Sequence, residues 1–448
     1  MHPIGFHSEQ YAALFSSEEV GRVFGFEGQI GSWLEFEAAL ARAQARLGII
    51  PSDAADEITR QATIANVPAK EYQAIFATTL HPVMPMVRLL TQACAGDLGQ
   101  YVHWGATTQD VMDTGLVLQL RTVHQDLGAL ISRLLEGLLR KADEYKSTPM
   151  AGRTHAQHAV PITLGYKLAV YGDEVSRHLR RLRAAAADLD VVQFGGAAGT
   201  LASLPTTGLA VRRELAAELD LGEPSITWHT SRDRIAAYAF AVASTCQTLQ
   251  RLAREVMTLQ RPEIGEIEEP FHEGKVGSST MPHKRNPVLA EVTWALARTG
   301  AERLSSVMAA MNQEHERDMS FWALEWDAVP RMLDSAVSAL KIAVPLVEGL
   351  RCIEERMAAN LDLTEGLILS EALMMGLAES RGRQRAHDLV YDASMRAAEG
   401  AGTLMELLVP NLDEGEQQRL AGMFTYKSAT EAAEAMTTEA LLRISEPA

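Results

Sequence analysis

Apolar side chains between Gly115 and Ala142 recur at steps of three and four, as at Val117, Leu120, Val123, Leu127, Ile131, Leu134 and Leu138. That spacing lines one face of an α-helix. Segments 162–190, 232–260 and 288–312 carry the same period, and alternating, strand-like runs are few. Proline stops or kinks helices, and none occurs between Pro85 and Pro149, Pro161 and Pro205, Pro224 and Pro262, Pro287 and Pro330, or Pro345 and Pro410. A helix of about 30 residues runs about 45 Å. The pattern therefore predicts an all-α chain in three helical domains: an N-terminal one at 1–110, a central long-helix bundle at 111–350, and a C-terminal one at 351–448. The stretch QFGGAAGT, from Gln193 to Thr200, is too rich in glycine for a good helix.

Composition narrows the function. Aromatics are 6% and apolar residues 47%, a globular, helix-leaning mixture. A net charge of −17 argues against a general nucleic-acid binder. Cys94, Cys246 and Cys352 lie far apart, with no CxxC pair, which fits a reducing compartment. The start MHPIGFHSEQ has neither a basic nor an apolar leader segment, so a cytoplasmic setting is expected. The uncharged run Ile235–Gln250 has 16 residues. A membrane span needs about 20, so the run reads as a buried core helix and no membrane role is expected.

Three segments carry candidate chemistry. In GKVGSSTMPHKRNP (Gly274–Pro287), Gly274, Gly277, Pro282 and Pro287 forbid a continuous helix, while hydroxyls, Lys284, Arg285 and Asn286 could wrap an anion. In GATTQDVMDT (Gly105–Thr114), Thr107 or Thr108 followed by Asp110 is also a plausible helix start. In GRTHAQHAVP (Gly152–Pro161), His155 and His158 are three apart. A metal site there would need further ligands, no HExxH occurs, and no metal is expected.

Taken together and in order, GSSTMPHKRNP, GATTQDVMDT and GRTHAQHAVP resemble the signature blocks of the fumarase/aspartase superfamily. QFGGAAGTLASL, WHTSRDR, AAMNQEHERD and NLDLTEGLILSEAL extend the resemblance over nearly the whole chain. Several of them lean towards its 3-carboxy-cis,cis-muconate cycloisomerase branch, as do Trp322 and Trp326. Two features lean the other way. His155 stands where many cycloisomerases carry an aromatic residue, and His81 lies near a histidine position of adenylosuccinate lyases. Against a nucleotide substrate, FHSEQYAAL lacks the Arg-Tyr-Ser block of those lyases, and FWALEWDAVP is aromatic where they are rich in Ser and Arg.

The resemblance implies cofactor-independent removal of a proton beside a carboxylate, with addition or elimination at the neighbouring carbon of a small di- or tricarboxylate. It makes Ser278 the base and His155 the proton donor. Thr107, Thr108, Asp110, Thr154, Ser279, Met281, Lys284 and Asn286 become substrate contacts, with His81 and Arg234 as further candidates. It also implies a homotetramer whose sites are shared between subunits, the central helices forming the common core. The favoured reaction is that of a 3-carboxy-cis,cis-muconate cycloisomerase. The alternatives are a C–N lyase releasing fumarate from an amino- or nitro-substituted succinate, and a non-catalytic scaffold that reuses the fold.

Overall fold

The computed structural model describes residue 5 and residues 8–271, 281 and 283–445. Helices dominate, as the periodicity predicts. Two compact units divide the chain: 1–130 with 178–247 and 295–340, and 131–177 with 248–294 and 341–448. Each is therefore a spatial grouping of separate segments. The long helices Thr108–Glu144, Leu164–Leu189, Asp233–Leu259, Val288–Glu302 and Met319–Glu348 each contribute residues to both.

In the first unit, helix Phe26–Arg46 buries Ile30, Trp33, Leu34 and Phe36. It packs against helices Ser52–Gln61 and Gly208–Glu218. The apolar stripe read from the sequence is buried at Val117, Leu120, Val123 and Leu127 here, and at Ile131, Leu134 and Leu138 in the second unit. Burying one such side chain stabilises the fold by about 1.5–3 kcal/mol, so that face is fixed and the charged face is left to water. The run Ile235–Gln250 lies inside helix Asp233–Leu259 and is largely buried. Among the described residues no helix is long and apolar enough to cross a membrane.

In the second unit, strands β1 (Pro149–Thr154) and β2 (Gln157–Thr163) form an antiparallel hairpin. Strands β3 (Ile267–Glu268) and β4 (Arg351–Cys352) make a second small pair. Leu373, Leu377, Ala386, Val390, Leu404 and Leu408 build the C-terminal core. Helices Ser370–Arg381 and Arg383–Ala398 meet at Gly382, whose φ of 78° a side chain would resist.

Two expectations drawn from proline fail. Pro330 and Pro345 lie inside helix Met319–Glu348. Each removes one backbone hydrogen bond, but buried Ala328, Val329, Met332, Leu333, Val344 and Leu346 hold the helix in place around them. Conversely, the proline-free interval after Pro345 holds several short helices, because glycines at 366 and 382 with positive φ break it.

Candidate active site

The described candidate residues fall into two sets, one in each unit. In the first, the loop before helix Thr108–Glu144 is pinned by Asp110, which is fully buried. Its Oδ2 accepts from Thr107 N at 3.0 Å and from Gly196 N at 2.9 Å. Its Oδ1 accepts from Gly195 N at 2.9 Å and faces His229 Nε2 at 2.8 Å. A carboxylate offers only acceptors, so His229 Nε2 carries the proton. The glycine-rich segment thus has a specific task. A Cβ at Gly195 would lie 2.7 Å from the Thr227 hydroxyl, so the backbone approaches closely enough to donate only without one. Asp110 therefore both starts the helix and shapes the loop, while Thr107 and Thr108 stay partly open at a helix N-terminus that favours anions.

His81 joins this set directly. Its Nδ1 accepts from Met84 N at 3.3 Å, which leaves Nε2–H to donate to Thr108 Oγ1 at 2.9 Å. Burial, helped by the nearby charge of His103, lowers the His81 pKa and favours this neutral form. His103 behaves oppositely. Burial opposes its charge, but Glu37, with Oε1 2.6 Å from Nδ1, prevails and raises its pKa. Glu37 also accepts the His103 backbone N–H at 3.0 Å, fixing a residue whose φ is 62°. Sequence reasoning passed over His103 because its partner Glu37 is 66 positions away.

Behind the loop lies a buried ion cluster. Arg232 pairs with Asp113 at 2.7 and 2.9 Å and with Glu325 at 2.5 and 3.0 Å. Its guanidinium also lies 5.3 Å from the Trp228 ring. Burial works against the Arg232 charge, yet the two carboxylates raise its pKa far above the ordinary value. Burial raises that of Glu325, against the pull of Arg232. Next to it, Gln109 donates to His229 O at 2.7 Å and accepts from Arg317 Nε at 2.9 Å. In WHTSRDR, His229 and Arg232 thus hold the loop, whereas Arg234 Nε lies 3.9 Å from Asp188. Only the three-dimensional partners reveal this division of labour.

In the second unit the hairpin carries the other set. Thr154 pairs with Gln157, leaving a two-residue turn, His155–Ala156. Both have positive φ, 51° and 61°. Hairpin turns of this form favour Asn-Gly, since side chains strain the left-handed region. The chain nonetheless places an exposed His there, at the tip of the hairpin. The hairpin is anchored by Arg153, which donates to Glu266 at 2.9 and 2.7 Å, while Asn360 donates to the same buried carboxylate at 2.8 Å. Lys284 is exposed and Asn286 half-buried on the approach to helix Val288–Glu302, whose start is capped by Glu269 accepting from Leu289 N and Ala290 N. Met281 is exposed. Ser278 and Ser279 lie outside the described residues. Among those described, no group of His, Cys, Asp and Glu is arranged to hold a metal ion.

Each unit therefore offers hydroxyl, imidazole or ammonium groups suited to a carboxylate substrate, set on buried supports. Comparison with known proteins decides the family. A family described as "Lyase" matches residues 16–299, and one described as "Adenylosuccinate lyase C-terminus" matches 366–440. The chain belongs to the fumarase/aspartase superfamily. It is 41% identical over 417 residues to a 3-carboxy-cis,cis-muconate cycloisomerase of Pseudomonas aeruginosa, covering 92% of this chain and 90% of that one. It is also 41% identical over 385 residues to an N-acetyl-S-(2-succino)cysteine lyase of Enterococcus italicus, covering 86% and 84%. Among solved structures, the 3-carboxy-cis,cis-muconate lactonizing enzyme of Pseudomonas putida superposes with a TM-score of 0.89 at 35% identity, over 98% of this chain and 100% of that one. As a member of this superfamily the protein is an enzyme, a lyase or intramolecular lyase.

Proposed function

We propose that this enzyme is a 3-carboxy-cis,cis-muconate cycloisomerase working as a homotetramer. The observation that carries the reading is the loop at Thr107 and Thr108, held at a helix N-terminus by Asp110 and His81. In a relative 41% identical to that cycloisomerase, such a loop is suited to grip a substrate carboxylate. Lys284 and Asn286 grip a second carboxylate. A carboxylate oxygen of the substrate adds to one carbon of a double bond. The π electrons move to the neighbouring carbon, beside another carboxylate, and Ser278 delivers the proton there, its alkoxide then taking a proton from water. Reversed, Ser278 takes the proton and the C–O bond breaks. Donors around the second carboxylate stabilise the charge that develops in either direction.

A second reading is favoured by His155 at its strained turn and by equal identity to the succinocysteine lyase. Here Ser278 removes the proton, the bond to nitrogen or sulfur breaks, His155 protonates the leaving group, and fumarate departs. The test is turnover of 3-carboxy-cis,cis-muconate, followed by loss of diene absorbance, beside a panel of N- and S-substituted succinates followed by fumarate release. Diene loss with saturable kinetics supports the cycloisomerase. Fumarate release without diene loss overturns it in favour of the second reading.

A further inference from the structure

Glu37 lies in the middle of helix Phe26–Arg46 and is 1% exposed. A carboxylate buried so deeply is disfavoured unless hydrogen bonds and a positive charge meet it. Glu37 commits both oxygens to one residue. Oε2 accepts from His103 N at 3.0 Å and Oε1 from His103 Nδ1 at 2.6 Å. A carboxylate only accepts, so Nδ1 carries a proton whether the ring is charged or neutral. One clamp therefore fixes both the ring and the backbone of a residue at φ 62°. Seven positions along the same face of the helix, fully buried Gln44 donates to Trp104 O at 2.7 Å. The helix thus props two consecutive residues of the chain that leads into the substrate loop.

The clamp and the loop are joined directly. A turn closes from Ala106 N to His103 O at 3.3 Å, and Thr107 and Thr108 follow at once. Three charged or titratable groups face His103 from the elements around it: Glu37 from helix Phe26–Arg46, Asp110 from helix Thr108–Glu144, and His81, which is bonded to Thr108. Burial opposes a charge on His103, but Glu37 and Asp110 favour it, whereas burial and the His103 charge keep His81 neutral. Asp110 is already committed to Thr107, Gly195, Gly196 and His229. The His103 side chain keeps 21% exposure, and its Nε2 makes no hydrogen bond to another described residue. That nitrogen is open to a ligand, and it carries a proton only while the ring is charged. We propose that Glu37 is a positioning residue for the substrate loop: by holding the ring and the strained backbone of His103 together, it sets an imidazolium beside Thr107 and Thr108, where it strengthens the grip on a substrate carboxylate.

The proposal rests on the carboxylate grip that both readings above share, so it is tested with a probe that needs no turnover. Tricarballylate, a saturated tricarboxylate, is titrated calorimetrically into the full chain from about pH 7 to about pH 9.5, a range in which carboxylates stay ionised. His103 loses its charge as pH rises through its raised value, so the parent should bind about tenfold more weakly at the top of the range than at the bottom. In Glu37→Gln the amide still accepts from His103 N but brings no charge. That variant should bind about tenfold more weakly at pH 7 and lose the slope with pH. His103→Asn tolerates positive φ, keeps a donor at the Nδ1 position and does not titrate. It should also lose the slope, and it decides the matter alone if Glu37→Gln does not fold. A purely structural role for Glu37 would weaken binding equally at every pH. A parent with flat affinity across the range, or a Glu37→Gln or His103→Asn protein that keeps the parent's slope, overturns the proposal while leaving the grip intact. Thr108→Val should weaken tricarballylate at every pH. Binding indifferent to that change, or no binding to the parent at millimolar probe, overturns the grip and the proposal together.

Discussion

At the scale of single residues, the hairpin tip separates stability from chemistry. His155 and Ala156 both occupy the left-handed region, which costs an L-residue about 1–2 kcal/mol. Glycine avoids that cost but loses roughly 0.5–1 kcal/mol through unfolded-chain entropy. Ala156→Gly should therefore raise stability slightly, by up to about 1 kcal/mol, with turnover near normal. His155→Gly should be at least as stable as the parent; in the lyase reading, where His155 protonates the leaving group, it should lose about 10²–10⁴-fold in kcat, the usual worth of a positioned proton donor. Urea denaturation and steady-state kinetics measure the two effects. A normal kcat in His155→Gly would remove His155 from the mechanism. His81 supplies a pH signature. Its folded pKa is lowered, so its contribution to stability is fully present above the unfolded value of about 6.5 and is lost as pH falls through the folded value. Protonation also ends acceptance from Met84 N and loosens Thr108. KM should thus rise as pH falls through that lowered folded value, and His81→Gln, which donates and accepts but does not titrate, should flatten that rise. An unchanged acidic rise in the Gln variant would sink the idea.

At the scale of elements, the buried cluster of Arg232, Asp113 and Glu325 ties the start of helix Asp233–Leu259 to helices Thr108–Glu144 and Met319–Glu348. Removing the arginine alone leaves two buried carboxylates without a counter-charge. Arg232→Leu should destabilise by about 3–5 kcal/mol, whereas Arg232→Leu with Asp113→Leu and Glu325→Leu should recover most of that loss. Thermal melts of the two proteins decide it: equal damage would mean that packing, not charge balance, governs this junction. Elements were also where the sequence was most and least legible. The long helices followed from a period of three and four, because burial of one face is a local pattern. The helix through Pro330 and Pro345 did not, because tertiary packing overrode a local rule. At the site, the loop residues Thr107 and Thr108 were legible as a block, but the supports were not. Glu37 holds His103, Gly195 holds Asp110, and Glu266 holds Arg153, each across dozens of residues or more.

At the scale of the whole molecule, large apolar side chains stand in solvent on the long helices, among them Phe240 at 54%, Val170 at 45% and Trp294 at 39% exposure. Soluble chains rarely leave extended apolar surface uncovered, and a symmetric partner is the usual cover. The two sets of site residues sharpen that into a test of the homotetramer proposed above. Thr108→Val should inactivate through the first unit's set, and Lys284→Ala, which removes the grip on the second carboxylate, through the second's. If one site takes Thr108 and Lys284 from different subunits, dissociating and reassembling an equal mixture of the two inactive variants brings intact partners together. With random mixing, each choice is an even chance, so roughly a quarter of wild-type activity should return. Kinetics before and after mixing, with light scattering to follow assembly, give the answer. If both residues serve a site from the same subunit, no mixed assembly contains an intact site, and activity stays at the level of the separate variants however well the tetramer reforms.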